Sequence, residues 1–127
     1  MIKLIPLTDT YSIYQVTDIE SIPAEIYSAG FYSVTSTGEE ISVVTNCKTK
    51  FPGLKTNEGW RGFRVEGVVD FSLIGIINTI TSPLKENKIS VFVISTWNTD
   101  YVFVKEDSFD QAIEALKKSG LVTIKIS

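Results

Sequence analysis

Asp70, Ser72 and Gly75 lie at the predicted start of a helix, and together they suit the binding of a small zwitterion. The first turn of a helix has backbone N–H groups without intrahelical partners and a partial positive charge, which attract a carboxylate. Asp70 could pair with an ammonium group, and Gly75 has no side chain to block a ligand from the backbone. The same residues also suit a structural role, as a helix cap and a close packing point, and on the residues alone that role is the commoner one.

A second polar group follows a predicted buried strand and comprises Ser95, Thr96, Thr99 and Asp100. Ligands of α/β proteins often bind where strands end. The alternative is a hydrogen-bonded turn, because Asn, Thr and Asp side chains close turns with their own hydrogen bonds. Trp60 and Trp97 could line a pocket, although aromatic side chains of this kind more often lie in a core or an interface.

The amino-acid composition excludes most kinds of catalytic site. The chain has no histidine and one cysteine, Cys47, which excludes Ser–His and Cys–His nucleophile pairs and an internal disulfide. The glycines do not have the spacing of a nucleotide-binding loop. A net charge of −3 disfavours a partner that is bound through a phosphate backbone. We therefore predict no catalytic residues, no metal, no cofactor and no nucleic-acid partner.

Length and composition are those of a globular domain. The chain has 127 residues, of which 43% are hydrophobic and 21% are charged. No apolar run reaches the roughly 18 residues of a membrane span, and residues 1–5 do not resemble a signal peptide, so we predict a cytoplasmic protein without a membrane partner. Residues 1–46 carry a net charge of −5 and residues 47–127 a net charge of +2.

The second half of the chain predicts the order βαββαβ of a ferredoxin-like α+β unit. The predicted elements are a strand over Trp60–Val69, a helix with the apolar stripe Leu73, Ile76, Ile77, Ile80 and Leu84, a hairpin of strands Ile89–Ser95 and Tyr101–Val104, a second helix, and a last strand with Val122, Ile124 and Ile126 on one face. We expect Pro83 to disturb the last turn of the first helix. Ser108 and Gln111 form a predicted capping box for the second helix, and Gly120 is its predicted end.

The first half predicts a shorter relative of this unit. Its predicted elements are the strands Ile2–Leu7, Ser12–Thr17, Phe31–Ser36 and Ile41–Asn46 and a short helix over Ile22–Tyr27. A polar segment with Pro and Gly then indicates a linker. The predicted domains are an abbreviated half over 1–46, a linker over 47–59 and a full unit over 60–127.

Three motifs in the second half resemble the small stand-alone ACT-domain proteins. They are GWRGFRVEG at Gly59–Gly67, DFSLIGI at Asp70–Ile76, and the strand pair ISVFVIST and TDYVFVK at Ile89–Thr96 and Thr99–Lys105. The resemblance extends to the regulatory ACT domains of aspartate kinase and to CASTOR-type amino-acid sensors. It implies a tandem of ACT units, the first abbreviated, with antiparallel sheets backed by helices. The chain departs from the family pattern at Lys88, where glycine is usual.

ACT modules typically bind a free amino acid between two units, and the resemblance carries this site to two segments. The implied ligand-binding residues are Asp70, Phe71, Ser72, Leu73, Ile74 and Gly75 in the loop and helix start, and Ser95, Thr96, Asn98, Thr99 and Asp100 in the strand and turn. In this site Asp70 would bind the ammonium group, and the amides of 72–75 would bind the carboxylate.

We therefore predict a regulatory, non-enzymatic module that senses a free amino acid. The alternative is a structural module that pairs with itself or with another protein, with its site filled by side chains such as Phe71 or Trp97. We also expect a homodimer, because the missing helix of the first half should leave apolar side chains for a second chain to cover. The candidate side chains are Phe31, Val34, Val43 and Val44.

Overall fold

Two compact units make up the chain in the computed structural model, which describes residues 2–66 and 75–125. The large unit consists of Met1–Thr8 and Arg61–Ser127, and the small unit consists of Asp9–Trp60. The strand β5 (Lys55–Val65) gives its first residues to the small unit and its last residues to the large unit. The contacts thus group the first strand with the second half of the chain, whereas the prediction placed it in the first half.

The large unit has the predicted βαββαβ order. After β5 come α1 (Ile76–Glu86), β6 (Val91–Ser95), β7 (Asp100–Lys105), α2 (Phe109–Lys118) and β8 (Val122–Ile124). The strand β1 (Ile2–Pro6) pairs antiparallel with β5 and parallel with β8. The strand order is therefore β8-β1-β5-β7-β6. In this order β1 lies between β5 and β8, which are the first and last strands of the βαββαβ sequence of elements.

The core of the large unit lies between its helices and one face of its strands. Ile76, Ile80 and Leu84 of α1 are buried, which confirms the described part of the predicted stripe. Their buried neighbours alternate along the strands, as expected for one face of a sheet, or come from α2. These neighbours are Leu4, Phe63, Val65, Ile89, Val102, Val104, Phe109, Ala112, Leu116 and Val122.

The helix ends agree only partly with the sequence. Gly120 follows α2 with a φ of 75°, which confirms the predicted left-handed end. The predicted capping box is wrong, because Ser108 closes a 3-10 turn at φ −102° and ψ 1° and its side chain makes no cap hydrogen bond. A capping side chain needs extended backbone to reach the helix amides. Pro83 lies inside α1, whose end is irregular: the Asn87 N–H is shared by two carbonyl oxygens.

Parts of three predicted elements lie outside the described residues. They are residues 67–69 of the strand that begins at Trp60, Leu73 of the apolar stripe, and Ile126 of the last strand. The strand that was predicted to begin at Trp60 is β5, and it begins earlier, at Lys55. Residues 55–59 therefore belong to β5 and not to the predicted linker.

The small unit is an antiparallel sheet with the strand order β3-β4-β2-β5. Its own strands are β2 (Tyr11–Val16), β3 (Tyr32–Ser36) and β4 (Ile41–Thr45). The helix predicted over Ile22–Tyr27 is wrong, because two 3-10 turns, Ile19–Ser21 and Ala24–Ser28, flank an extended Ile22–Pro23 pair. Proline explains this break, since it disfavours helical backbone in the residue before it.

Val43 and Val44, predicted to lie on an uncovered surface, are instead buried within the chain and only 0% and 9% exposed. Val43 packs in a cluster with Tyr14, Val16, Ile22, Ile26 and Phe51. Val34 is half-buried against the same cluster, and Phe31 packs edge to face on Tyr11. The 3-10 turns and the segment after β4 therefore cover Val43 within the chain, where a second chain was predicted to do so.

Arg61 binds the backbone just after β1 within the large unit. Its Nε and Nη2 atoms donate hydrogen bonds of 3.2 and 2.9 Å to the Leu7 carbonyl oxygen. The guanidinium carbon lies 4.1 Å from the centroid of the Phe109 ring, a cation–π geometry. Arg61 thus joins the residue after β1 to the first residue of α2.

Gly62 allows Phe103 to lie against β5 on the sheet face opposite the helices. A β-carbon at position 62 would lie 2.9 Å from two ring atoms of Phe103 and 3.2 Å from Cδ1 of Leu7. Phe103 is fully buried and stacks on Phe92, with 4.7 Å between the ring centroids. The space that a side chain at position 62 would need is therefore already filled.

Gly62→Ala should lower the free energy of unfolding by about 1–3 kcal/mol, the usual cost of overpacking a filled core. Gly38→Ala is the matched control, because a β-carbon there would meet no atom within 4 Å. Urea unfolding followed by circular dichroism measures both variants. Equal stability of the two variants would contradict the close packing of Phe103 on Gly62.

Candidate functional site

Thr99 ties the turn between β6 and β7 to the end of β5. Its hydroxyl donates a 2.7 Å hydrogen bond to the carbonyl oxygen of Val65, and its side chain is buried. Val65 is the last residue of β5, and the predicted ligand loop begins at Asp70, beyond the last described residue of this segment, Glu66. The second predicted segment is therefore held at the end of β5, the strand that precedes the first segment in the sequence.

The predicted loop residues lie largely outside the described residues. These are Asp70, Phe71, Ser72, Leu73 and Ile74, whose role in binding stays a prediction. Gly75 stands directly before α1 with a φ of 88°, and a β-carbon there would meet no atom within 4 Å. The left-handed backbone by itself accounts for glycine at this position.

The first backbone N–H groups of α1 have no hydrogen-bond partner among the described residues. The described helix begins at Ile76, and Gly75 before it has no side chain that could cap the helix. The first intrahelical bond that reaches Gly75 comes from the Thr79 N–H at 2.8 Å. The N–H groups of residues 76–78 therefore precede the helical ladder, which suits an anionic group at this end.

Thr96 and Thr99 close the β6–β7 turn with their own side chains. The N–H and the hydroxyl of Thr96 each donate to the Thr99 carbonyl oxygen at 2.8 Å, and the Thr99 N–H donates to the Thr96 hydroxyl oxygen at 3.3 Å. These bonds match the alternative that the sequence left open, a turn closed by its own polar groups. Trp97 and Asn98, between them, are exposed.

Ser95, Asn98 and Asp100 are the predicted turn residues whose side chains do not close the turn. Ser95 and Asp100 face each other as register partners across β6 and β7. Ser95 is exposed and Asp100 is half-buried. Within the described residues, neither side chain has a hydrogen-bond partner, so both are available to a ligand.

Glu66, directly after β5, is a further carboxylate that was not among the predicted site residues. Its Oε1 lies 2.6 Å from Nζ of Lys125, and this hydrogen bond lowers the pKa of the Glu66 carboxyl. Desolvation acts in the opposite direction, while the charges of Lys125, Lys3 and Arg64 add to the lowering. Glu66 and Lys125 are 59 residues apart, so no local sequence pattern reveals their contact.

Two grooves on the large unit lie away from the predicted site residues. One, of about 560 Å³, runs between α1 and α2. The other, of about 600 Å³, is lined by α1 and by Lys88–Val91, and we call it the α1–β6 groove.

Among the described residues, no group of three or more His, Cys, Asp or Glu side chains could hold a metal ion. In the same part of the chain, no helix has the length and apolar character needed to cross a membrane.

Comparison with known proteins places these features in a family. A family model for the ACT domain matches residues 55–118. The human protein named cytosolic arginine sensor for mTORC1 subunit 1 is 33% identical over 116 residues, which cover 85% of this chain and 35% of that protein. The chain spans about a third of the length of the curated relatives that it matches.

Solved structures show the same fold. A protein from Agobacterium tumefaciens has a TM-score of 0.89 and 30% identity, over 99% of this chain and 93% of that chain. The regulatory subunit of aspartate kinase from Thermus thermophilus has a TM-score of 0.60 and 12% identity, over 87% and 93% of the two chains, a likeness of fold alone. With the βαββαβ order and the matched ACT-domain model, these findings show that the chain belongs to the ACT-domain family.

Proposed function

We propose that this chain is a regulatory module, without catalytic activity, that binds a free amino acid. The observation that carries the proposal is the hydrogen bond from Thr99 to Val65, which holds the β6–β7 turn at the end of β5, the strand that precedes the predicted ligand loop in the sequence. The name of the human relative describes an arginine sensor, which supports an amino acid as the ligand class. The cytoplasmic location and the homodimer expected from the sequence belong to the same proposal.

The groups around this point match the two charges of an α-amino acid. We assign the ammonium group to Asp70 and the carboxylate to the amides of 72–75, and the first N–H groups of α1 extend that donor set. Asp100 contributes a half-buried carboxylate and Ser95 a hydroxyl from the turn. In this site Thr96 and Thr99 position the turn and do not contact the ligand.

The second candidate function is a structural module that pairs without a ligand. It is favoured by the turn itself, because the hydroxyls of Thr96 and Thr99 already have partners within the chain. The two functions differ in one measurable property, which is the affinity for free amino acids.

Calorimetry against each of the common amino acids tests the choice. At least one should bind, and Asp100→Asn should weaken that binding about tenfold or more, since a hydrogen bond to a charged group contributes about 1.5–3 kcal/mol. Asp110→Asn, an exposed residue of α2, is the control and should bind as the original chain does. No binding of any amino acid at millimolar concentration would favour the structural module.

Thr99→Val should lower the free energy of unfolding by about 1–3 kcal/mol, because the Val65 carbonyl oxygen loses its buried donor. It should also weaken amino-acid binding, since the turn is then no longer held at the end of β5. Thr35→Val, at an exposed position of β3, is the control for both measurements. A variant that is less stable yet binds with unchanged affinity would show that the turn is not part of the site.

A further inference from the structure

The small unit contains a polar pocket of about 240 Å³, which we call the small-unit pocket. Ser12 of β2 and Thr45 of β4 are register partners, so antiparallel pairing brings the segment before β2 next to the segment after β4. A 2.9 Å hydrogen bond from Nδ2 of Asn46 to Oδ2 of Asp9 joins the two segments. The polar side chains that line the pocket are Asp9, Thr10, Ser12, Asn46, Lys48 and Lys50.

Ser12 places a buried hydroxyl group at this pocket, because the residue lines it and is only 5% exposed. Its Oγ accepts a 3.5 Å hydrogen bond from Nζ of Lys50, whereas its own O–H donates to no acceptor among the described residues. Buried hydroxyl groups usually use their hydrogen-bonding capacity. A ligand with an acceptor oxygen would therefore satisfy this donor.

Two ammonium groups lie beside this donor. Nζ of Lys50 is 3.3 Å from Oε1 of Glu58, which together with the bond to Ser12 leaves one of its three protons for a ligand. Within the described part of the chain, Lys48 makes no hydrogen bond or ion pair. Asp9 brings a carboxylate to the lining, and Asn46 already donates to it. Two positive charges thus stand against one negative charge.

The two grooves of the large unit suit an anion less well. The groove between α1 and α2 has the carboxylates of Glu86 and Glu114 against the ammonium group of Lys118. The α1–β6 groove has Lys85 and Lys88, but both lie at the C-terminal end of α1, where the partial negative charge of the helix opposes an anion. Among the described residues that line these grooves, no polar side chain is buried.

We propose that the small-unit pocket binds a small oxyanion, a carboxylate or phosphate group, through the Ser12 hydroxyl and the ammonium groups of Lys48 and Lys50. Its volume lies below the roughly 300–1,000 Å³ of pockets for drug-sized ligands, which indicates a ligand of few heavy atoms. All of its lining residues belong to the small unit. This site is therefore separate from the amino-acid site proposed in the large unit and does not depend on it.

Calorimetry with inorganic phosphate and with succinate, in a Tris buffer of low ionic strength, gives one probe for each source of the oxyanion. At least one probe should bind with a roughly millimolar dissociation constant. Ser12→Ala should weaken that binding about tenfold, because it removes a buried hydrogen bond to a charged group. Lys48→Gln should weaken it about threefold, as expected for an exposed ion pair. Asp100→Asn, in the proposed amino-acid site, should leave it unchanged.

Lys55→Gln is the control for net charge, because it removes an exposed lysine of the same unit that does not line the pocket. It should bind both probes as the original chain does. If Lys55→Gln weakened binding as much as Lys48→Gln, the attraction would be a general effect of positive charge and the proposal would be wrong.

Asp9→Asn distinguishes an oxyanion from other ligands. The amide oxygen of asparagine can still accept from Asn46, while a negative charge leaves the pocket. An oxyanion should therefore bind about threefold more tightly at low ionic strength. A cationic or zwitterionic ligand would instead bind more weakly, and weaker binding of the probes would contradict the assignment.

Cys47 also lines the pocket and is the one cysteine of the chain, so its thiol reports whether the pocket is occupied. A bound probe should slow alkylation of this thiol by the neutral reagent iodoacetamide at least about twofold, and Lys48→Gln should reduce the protection at equal probe concentration. The proposal would be overturned if neither phosphate nor succinate bound at roughly 50 mM.

Discussion

The placement of β1 between β5 and β8 is the constraint on which the large unit depends. Its backbone bonds extend past the paired residues, from the Glu66 N–H to the Lys3 carbonyl oxygen at 2.9 Å and from the Lys125 N–H to the Leu4 carbonyl oxygen at 2.8 Å. The side chain of Leu4 is fully buried in the core beneath the helices. Without β1, both β5 and β8 would lose a hydrogen-bonded partner strand, and the core would lose the buried Leu4 side chain.

The positions of the groups at the candidate site depend on the pairing of β1 with β5 and β8. Because β1 holds β5 from one side, the carbonyl group of Val65 is fixed where Thr99 can donate to it. Because β1 also pairs with β8, Lys125 lies next to Glu66 at the end of β5. Groups far apart in sequence thus meet at one end of the sheet through a strand that contributes no ligand-binding residue.

Local sequence patterns predict most helices and strands of the large unit. They do not predict which strands pair when the partners are far apart in the sequence. The apolar spacing of Ile76, Ile80 and Leu84 suffices to predict α1, and Gly120 to predict where α2 ends. The partner of β1 could not be predicted, since a strand pattern shows which residues face a core and not which strand lies alongside. The turn residues were identified correctly as polar, but only the coordinates distinguish the hydroxyls that close the turn from those left free.

The strand order also sets a sequence of events during synthesis. The ribosome makes β1 first and its parallel neighbour β8 last, with the whole small unit between them. The strands of the small unit can pair as soon as β5 has emerged, whereas β1 must wait unpaired on one side until Ile124 is made. Loop closure over such a distance is slow, so the large unit completes its sheet last, when the small unit can already have formed its own core.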